Sequence, residues 1–319
     1  MADYDILVLG EINVDLVLQA GDITPVFGQE KFVERAILTL GSSSMIFACA
    51  TTRLGLRTAL VGVAGDDEFG QFILRALQER GVDTSLISLD PSLKTGVTVS
   101  LSTPRDRAML TFPGCIPALA ADQVNPQIFS HARHVHVGSY FLQQGLQPGL
   151  FDLLRAAKRE GCSTSLDPGW DPWARWNGGL RQVLQQVDIF LPNREEAAAL
   201  TGESVPTLAL EQLTRWSPVV VVKGGAQGAW ARRGDEWASV PALPIPVLDV
   251  TGAGDAFDAG FIFGLLQGWN LKAALRAGCI CGSLSTRAVG GTEGQPTFSE
   301  LWECMQKFDD PDDHSKSGH

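Results

Sequence analysis

One segment limits what this chain can fold into more than any other, and it covers residues 249–260, which begin Asp-Val-Thr-Gly-Ala-Gly-Asp-Ala-Phe. A short apolar run, 244–250, leads into this segment. An almost wholly apolar run, 256–266, begins inside it and continues beyond its end. Between the two runs lie Gly252 and Gly254, which permit a tight turn. The pattern predicts a strand, a tight turn and a buried helix in succession.

A turn through Gly252 and Gly254 would leave backbone N–H groups free at a helix N-terminus, where the helix dipole favours an anion such as phosphate. Asp255 follows in the first helical turn, and its carboxylate would repel a phosphate unless another group lies between them. A substrate hydroxyl that Asp255 deprotonates fits that gap. The alternative is that the glycines only form a turn and Asp255 only caps a helix.

Two other phosphate-binding motifs do not fit the residues. A Walker loop ends in Gly-Lys followed by Ser or Thr, and this tripeptide is absent from the sequence. A dinucleotide fingerprint needs a small residue where Phe257 stands and an acidic residue about 20 positions later, where Lys272 and its neighbours offer none. Both motifs are therefore excluded.

The segment resembles the C-terminal signature of the ribokinase-like (PfkB) family of sugar and nucleoside kinases. This resemblance implies that Gly252, Ala253 and Gly254 form the anion hole for the transferred phosphate, and that Asp255 is the catalytic base. It also implies ATP and Mg²⁺ as cofactors. The implied fold class is α/β, a three-layer sandwich around a mostly parallel sheet with a small β-sheet lid.

Composition excludes several kinds of partner. The formal net charge of -11 argues against nucleic acid or an anionic membrane, because both reward clustered Lys and Arg. No apolar run reaches the roughly 18 residues of a membrane span, and the first residues lack the features of a signal peptide. We therefore expect a cytoplasmic protein with a small-molecule substrate. Six scattered cysteines without Cys-x-x-Cys predict free buried thiols.

The domain organisation follows from length and from the predicted strands. A chain of 319 residues suits one α/β unit with a small accessory element. We predict a kinase domain over 1–308, with lid strands within 11–40 and 95–112 that close on the substrate and exclude water. Residues 309–319 lack apolar side chains and are predicted to be disordered.

Candidate substrate-binding residues follow the first predicted strand. Asn13 and Asp15 are two residues apart, so on an extended segment they face the same way and could bond neighbouring sugar hydroxyls. An Asx-type turn with a solvated Asp would produce the same spacing. In the family resemblance these two residues match a pair that binds substrate hydroxyls.

The match to the family's N-terminal signature is imperfect. Gly41 matches, but Ser42 stands where the family usually has a second glycine, and Ile46 stands where it has an Asn that bonds the sugar. A missing amide leaves a buried hydroxyl unpaired or in apolar contact, which costs on the order of 1 to 3 kcal/mol. The substrate is therefore not expected to be ribose bound in the usual way.

A second departure follows the strand predicted at 163–167. Where the family commonly carries Asp-x-Asn-x-Arg, with the Arg facing phosphate or an acidic substrate, this chain has Gly169 and Asp171. The change argues against a sugar-acid kinase. Tryptophans nearby could stack on a sugar or a base, but they could equally pack the loop itself. They are Trp170, Trp173 and Trp176.

Metal ligands are predicted at one pair of residues and not at another. Asn193 and Glu196 share a helical face and could hold a hydrated Mg²⁺, and they match the family's Asn-x-x-Glu motif. The same spacing is also a common helix cap. His134 and His136 share a strand face, but no carboxylate or thiol stands nearby in sequence, so we favour a structural role for both.

The nucleotide is expected to bind beside two loops. The apolar strand at 219–222 ends in Lys223, Gly225 and Gly228, where a glycine-rich turn permits close approach and the ammonium can neutralise phosphate. A plain hairpin turn would look similar.

The second loop involves Thr251 as a further cofactor-binding residue. In the family, the segment around Ala288 flanks the adenine and, with Asp249 and Thr251, often binds a monovalent cation such as K⁺.

These observations predict an ATP-dependent kinase that phosphorylates a hydroxymethyl group of a small sugar or polyol. Two alternatives stay open, a nucleoside kinase and a non-catalytic ligand-binding protein on the kinase fold. Pairing of lid edge strands would allow a homodimer.

Overall fold

The computed structural model describes residues 2–103 and 107–307. The segment 309–319, for which we predict disorder, lies outside the described residues, as does residue 308 of the predicted domain. The strands are β1 (Tyr4–Leu9), β2 (Asn13–Gln19), β3 (Arg35–Leu40), β4 (Thr58–Gly65), β5 (Ile87–Asp90), β6 (Gly96–Ser102), β7 (Arg107–Phe112), β8 (Ala132–Val137), β9 (Ser163–Leu166), β10 (Ile189–Phe190), β11 (Val219–Lys223), β12 (Ala229–Arg233) and β13 (Glu236–Val240). The helices are α1 (Ser43–Arg53), α2 (Glu68–Glu79), α3 (Gln147–Arg159), α4 (Leu180–Val183), α5 (Arg194–Thr201), α6 (Pro206–Leu213), α7 (Ala253–Leu266), α8 (Leu271–Ser285) and α9 (Phe298–Lys307).

A nine-stranded sheet forms the centre of the protein, in the order β13-β12-β11-β10-β9-β8-β1-β4-β5. It is parallel from β11 to β5, while β12 and β13 return as an antiparallel hairpin. Strand β11 is buried throughout, with Val219 and Val221 in the core on one face and Val220 and Val222 in the core on the other. Parallel sheets need such cover on both faces. The predicted three-layer sandwich is confirmed.

A separate four-stranded sheet, in the order β3-β2-β6-β7, is the predicted lid. Its register gives the sheet two chemically different faces. On one face Asp15 lies opposite Thr98, and Thr98 lies opposite Thr111. On the other face every paired side chain is apolar. That face consists of Val14, Leu16, Leu18, Ala36, Leu38, Leu40, Val97, Val99, Leu101, Ala108, Leu110 and Phe112.

One predicted strand is wrong. Residues 244–250 form no strand, because Pro244 and Pro246 have no N–H to give to a ladder. The segment is instead tied to the end of α8, where the backbone N–H groups of Leu248 and Asp249 both donate to the carbonyl of Thr286. The turn and the buried helix that follow are confirmed as α7.

Glycines allow α7 and α8 to pack with their backbones close together. A Cβ added at Gly260 would lie 2.6 Å from the carbonyl oxygen of Ala277, and one added at Gly264 would lie 2.8 Å from the Cα of Ala274. Such distances leave no room for a side chain. The small residues of the apolar run therefore fix the position of α7, which carries Asp255 in its first turn.

The cysteines are free thiols, as predicted, and all are buried except Cys304, which is half-buried. Cys279 and Cys281 are both buried in the core beside α7. Within 2–103 and 107–307, no helix is long and apolar enough to cross a bilayer.

Replacing Gly260 with Ala should lower the free energy of unfolding by about 1 to 3 kcal/mol, because the added methyl group separates two packed helices. Urea unfolding followed by circular dichroism measures the loss. Gly21→Ala is the matched control, because the nearest atom to its added methyl group would be 3.8 Å away. Equal stability of the two variants would contradict the close packing of α7 on α8.

Candidate active site

Polar side chains converge at the carboxyl edge of the central sheet. Glu11 follows β1, Asp167 follows β9, Asn193 follows β10, and Lys223 ends β11. Ligands of open α/β sheets bind outside this edge. The sequence predictions for Asn193 and Lys223 therefore fall at the expected place in the fold.

The predicted anion-binding loop leads directly into α7. Gly252 has φ 72°, a left-handed conformation that favours glycine, and α7 begins at Ala253. Asp255 lies half-buried in the first turn. Burial, followed by repulsion from Asp167, raises the pKa of Asp255 to about 7, while Lys223 and the Ser43 hydroxyl limit the rise. A carboxylate with this pKa is suited to accept a proton near neutral pH.

Ile46 lies behind this loop. A Cβ added at Gly252 would lie 2.8 Å from Ile46 Cγ2, and one added at Gly291 would lie 2.4 Å from Ile46 Cδ1. Gln295 donates from Nε2 to the backbone carbonyl of Ile46 at 2.8 Å. The isoleucine thus packs between two glycine segments and supports the loop by apolar contact.

The predicted substrate pair lies at the base of the lid. Asn13 Nδ2 donates to Asp15 Oδ1 at 3.0 Å and lies 3.4 Å from Thr98 Oγ1. A Cβ at Gly41 would lie 2.2 Å from Asp15 Oδ1 and 2.4 Å from Asn13 Nδ2, so only glycine fits there. Burial raises the pKa of Asp15 to about 6. The structure thus brings three of the predicted substrate-binding residues together.

Ser42 takes an unusual conformation where the family usually has glycine. Its φ is 66°, and such a residue costs about 1 to 3 kcal/mol unless its surroundings fix it. Its hydroxyl donates to the carbonyl of Glu11 at 2.6 Å and caps α1 by accepting from Met45 N at 3.1 Å. Glu11 is buried, and Ser44 Oγ donates to its Oε2 at 2.5 Å. Sequence reasoning gave no role to Glu11, although it stands as a charged residue directly after a buried strand.

Lys223 forms a buried ion-pair cluster beneath the loop. Its Nζ donates to Asp167 Oδ2 at 2.5 Å and to both carboxylate oxygens of Asp258 at 3.1 and 2.9 Å. A Cβ at Gly254 would lie 3.5 Å from this Nζ. Burial alone would lower the pKa of Lys223, but the carboxylates of Asp167 and Asp258 raise it above its usual value. The ammonium predicted to neutralise phosphate is thus already paired.

Asp258 is a residue that sequence reasoning missed. It is 1 % exposed and lies one turn after Asp255 on α7. Burial raises its pKa well above the ordinary value. The available signal was a single acidic residue inside an otherwise apolar helical run, since such a residue is seldom buried without a partner.

Asn193 and Glu196 form a reciprocal cap at the start of α5. Asn193 Oδ1 accepts from Glu196 N, and Glu196 Oε2 accepts from Asn193 N, both at 2.8 Å. Burial, reinforced by Asp167, raises the pKa of Glu196 to about 8. The capping alternative is therefore what the structure contains. The cap uses only the Oε2 oxygen of Glu196, so Oε1 can still accept a hydrogen bond from a water of a hydrated Mg²⁺.

The glycines after β11 form the turn of the β11–β12 hairpin. Gly228 has φ 87°, and a Cβ there would lie 2.0 Å from the carbonyl oxygen of Val240. The need for glycine at this position is therefore structural. Gly225, with φ 57°, has open space around it, as close approach of a nucleotide would require.

Asp171 organises the loop after β9. It is 2 % exposed, and its carboxylate accepts from the backbone N–H groups of Trp173, Arg175 and Trp176 at 2.7 to 2.9 Å. Trp176 packs edge-to-face on Phe141, with ring centroids 5.4 Å apart. The residue that replaces the family's Arg thus holds the loop.

Asp249 joins the anion-binding loop to the segment at 290. Its Oδ1 accepts from the N–H and hydroxyl of Thr251 at 2.9 and 2.7 Å, and its Oδ2 accepts from Gly290 N at 2.9 Å. Arg107 on β7 donates to Thr251 Oγ1 at 2.6 Å and lies 3.8 Å from Asp249 Oδ1. The guanidinium and the three hydrogen bonds that Asp249 accepts already compensate its charge, so this side chain has little need of K⁺. Ala288, the other candidate ligand of a monovalent cation, is half-buried and lies two residues before Gly290.

The histidines on β8 have structural partners. His134 lies between Ser163 Oγ and Ser165 Oγ, at 2.8 and 2.7 Å, and His136 lies 2.7 Å from Ser165 Oγ. Burial lowers the pKa of each to about 3. Within the described ranges, no group of three or more His, Cys, Asp or Glu could hold a metal ion.

Replacing Lys223 with Met should lower the free energy of unfolding by about 3 to 5 kcal/mol near neutral pH, because it leaves two buried acids without their cation. Urea unfolding measures the loss. The matched control is Arg233→Met, which breaks an exposed pair with Glu236 and should cost about 0 to 1 kcal/mol. Adding Asp258→Leu to Lys223→Met should restore part of the stability. Equal losses in the two single variants would contradict a buried cluster.

Comparison with known proteins adds to this geometry. Residues 4–297 match the profile described as pfkB family carbohydrate kinase. An uncharacterised sugar kinase of Archaeoglobus fulgidus is 32% identical over 248 residues, which are 77% of this chain and 97% of the relative. The 2-dehydro-3-deoxygluconokinase of Bacillus subtilis is 28% identical over 273 residues, 80% of this chain and 82% of the relative.

Solved structures agree with the fold. An E. coli protein provisionally described as ribokinase II, in complex with ATP and Mg²⁺, is 26% identical, with a TM-score of 0.83 over 95% of this chain and 99% of that one. The apo form of that protein gives a TM-score of 0.84 over the same shares.

Proposed function

Because the chain belongs to the pfkB family of carbohydrate kinases, we propose that it transfers the terminal phosphate of ATP to a hydroxymethyl group of a small sugar or polyol. Asp255 is the catalytic base, and the loop of Gly252, Ala253 and Gly254 forms the anion hole. Its donors are the Gly252 and Gly254 amides, because the Ala253 N–H already donates to the carbonyl of Val250 at 3.2 Å. Asn13 and Asp15 bind substrate hydroxyls under the lid.

The observation that carries this proposal is the position of the turn from Gly41 to Ser43. At one end, Gly41 contacts Asn13 and Asp15 closely enough to exclude a Cβ. At the other end, the Ser43 hydroxyl acts on Asp255 and lowers its pKa, so this end of the turn lies beside the candidate base. One short turn thus links the candidate hydroxyl-binding pair to the candidate base. That base lies in the first turn of α7, directly after the glycine loop.

The chemistry follows from this arrangement. Asp255 accepts the proton as the substrate oxygen attacks phosphorus, and it becomes neutral, which suits a half-buried carboxyl whose pKa is about 7. The loop amides and the N-terminus of α7 stabilise the charge that spreads over the phosphoryl oxygens. Mg²⁺, held through water by Glu196 and Asn193, would supply further positive charge at the phosphates.

ATP is proposed to bind beside the β11–β12 hairpin and the anion loop, with contacts from Gly225, Gly228 and Thr251. Lys223 contributes its charge from below the loop. Its Nζ lies 3.5 Å from the position of a Cβ at Gly254, which favours an electrostatic role. K⁺ is not part of the proposal, because Asp249 already bonds Thr251 and Gly290 and has Arg107 beside it. ATP as donor favours a cytoplasmic location.

A neutral substrate is favoured over a sugar acid. Asp171, at the position of the family's Arg, is turned into its own loop and accepts three backbone N–H groups. The Ile46 side chain lies against Gly252 and Gly291 and offers no amide to a hydroxyl. The acid-specific name of the Bacillus subtilis relative makes sugar acids the most informative comparison.

Replacing Asp255 with Asn should reduce turnover by about 100-fold or more, because the amide cannot accept the hydroxyl proton. Release of ADP from Mg-ATP is measured across neutral sugars, polyols, sugar acids and nucleosides. ATP binding by the variant, measured by calorimetry, should stay near that of the unchanged protein. Unchanged turnover of the variant on the preferred substrate would rule out Asp255 as the base.

The pH dependence offers a second readout of the same assignment. Asp255 must be ionised to act, so kcat/KM should rise with pH to a plateau above its pKa of about 7. Ser43→Ala removes a hydroxyl that lowers this pKa, so it should move the rise to higher pH. A profile that is flat through this range would contradict the assignment.

We also propose a homodimer that forms through the apolar face of the lid. Leu110 is 64% exposed and Phe112 is 55% exposed, and both belong to that face. Nearer the body, Val14 and Leu40 of the same face are buried in the core. A contiguous apolar sheet face of this kind commonly marks a protein interface. Two copies of one face can cover each other about a twofold axis.

Leu110→Asp should convert the dimer into a monomer, because it places a charge on the covered face. Light scattering after gel filtration gives the mass. Met109→Asp is the matched control, because Met109 is equally exposed but points to the opposite face, and it should leave the dimer intact. A monomeric unchanged protein at micromolar concentration would contradict the proposal.

A further inference from the structure

Arg107 joins the lid to the anion-binding loop. Its Nη1 donates to Thr251 Oγ1 at 2.6 Å and lies 3.8 Å from Asp249 Oδ1. Thr251 in turn donates both its N–H and its hydroxyl to that same carboxylate oxygen. The guanidinium therefore contacts a residue directly before Gly252, where the proposed phosphate-binding amides begin.

The register of the lid explains how Arg107 reaches the loop. Arg107 lies opposite Ser102, which lies opposite Gln19, in the row farthest from Asn13. Its face of the sheet is the polar one that carries Asp15 and Thr98. The contact spans 144 residues of sequence and joins a lid strand to the body, so it requires the lid to lie over the site.

Charge complementarity supports a specific role. Asp249 is mostly shielded, with 15% of its side chain exposed, and its oxygens accept from Thr251 and Gly290. Such a carboxylate needs a counter-charge, and Arg107 is a permanent cation beside it. The guanidinium charge also lowers the pKa of Asp15, so Arg107 acts on the hydroxyl-binding pair as well as on the anion-binding loop.

We propose that Arg107 is a positioning residue that clamps Thr251 and Asp249, so that the anion hole is held in its working geometry when the lid covers the substrate. The same guanidinium supplies the positive charge at Asp249, and phosphoryl transfer then needs no K⁺. This inference rests on the proposed kinase function.

The test compares Arg107→Met with Arg35→Met, which removes an exposed arginine from the same register row at the opposite edge of the lid. Arg107→Met should lower kcat by about 10- to 100-fold, since small displacements of catalytic groups have effects of this size. Because the clamp acts in the transition state, kcat/KM should fall by the same factor as kcat. Arg35→Met should retain full activity, and the melting temperatures of both variants should match the unchanged protein.

Two further readouts separate the clamp from a structural effect. Guanidinium ion at millimolar concentration should restore part of the activity of Arg107→Met and leave Arg35→Met unaffected. In a double-mutant cycle, Arg107→Met with Thr251→Val should lose no more activity than the worse single variant, because both break the same contact. Full activity of Arg107→Met, or additive losses without guanidinium rescue, would overturn the clamp.

The cation readout uses K⁺ itself. Turnover of the unchanged protein should be the same in potassium and tetramethylammonium salts, and a strict requirement for K⁺ would overturn the role of Arg107 as the counter-charge at Asp249.

Hydrogen–deuterium exchange distinguishes failure of the clamp from failure of the kinase assignment. Backbone exchange at 249–254 should rise in Arg107→Met and not in Arg35→Met, whether or not a substrate has been found. Absence of ADP release from the unchanged protein, with this difference present, would reject the kinase function and keep the clamp. Normal turnover without the difference would reject the clamp alone.

Discussion

The buried ion-pair cluster around Lys223 is the interaction on which the site depends. It ties the end of β9, the end of β11 and the first turns of α7 through one ammonium and the carboxylates of Asp167 and Asp258. Buried charges are stable only when each has a partner at good geometry. The cluster therefore fixes the distance between the sheet edge and the helix that carries Asp255. It also places a positive charge below the loop without exposing it to bulk solvent.

Much of this architecture could be predicted because it depends on local patterns. Apolar runs such as 219–222 are long enough to be strands, and Gly252 and Gly254 limit the turn before α7 to a few conformations. The pairing of Asn13 with Asp15 depends only on the two-residue period of a strand. The lid strands were also recognisable, since β2, β3, β6 and β7 all lie within the predicted ranges 11–40 and 95–112.

What the sequence could not provide are contacts between distant residues and conformations that a neighbour enforces. Arg107 gave no signal, because its partner Thr251 is 144 residues away. Ser42 was noted as a substitution, but its left-handed backbone depends on a hydrogen bond to Glu11, which no local pattern encodes. The predicted strand before the anion loop failed for the opposite reason. Its apolar pattern was local, but two prolines removed the donors that a ladder needs.

The two-faced lid restricts how this protein can change during evolution. In β2, side chains of the polar face, with the candidate hydroxyl-binding pair, alternate with side chains of the apolar face, from Asn13 and Val14 onward. Inserting or deleting one residue inside this strand would exchange the two sets, sending the carboxylate of Asp15 to the apolar side. A change of substrate preference that keeps both faces of the lid therefore requires substitution within the strand, or length changes in the connection at 20–34. The spacing of Asn13, Asp15 and Val17 behaves as a single unit, because any change of length inside β2 displaces the residues beyond it to the other face.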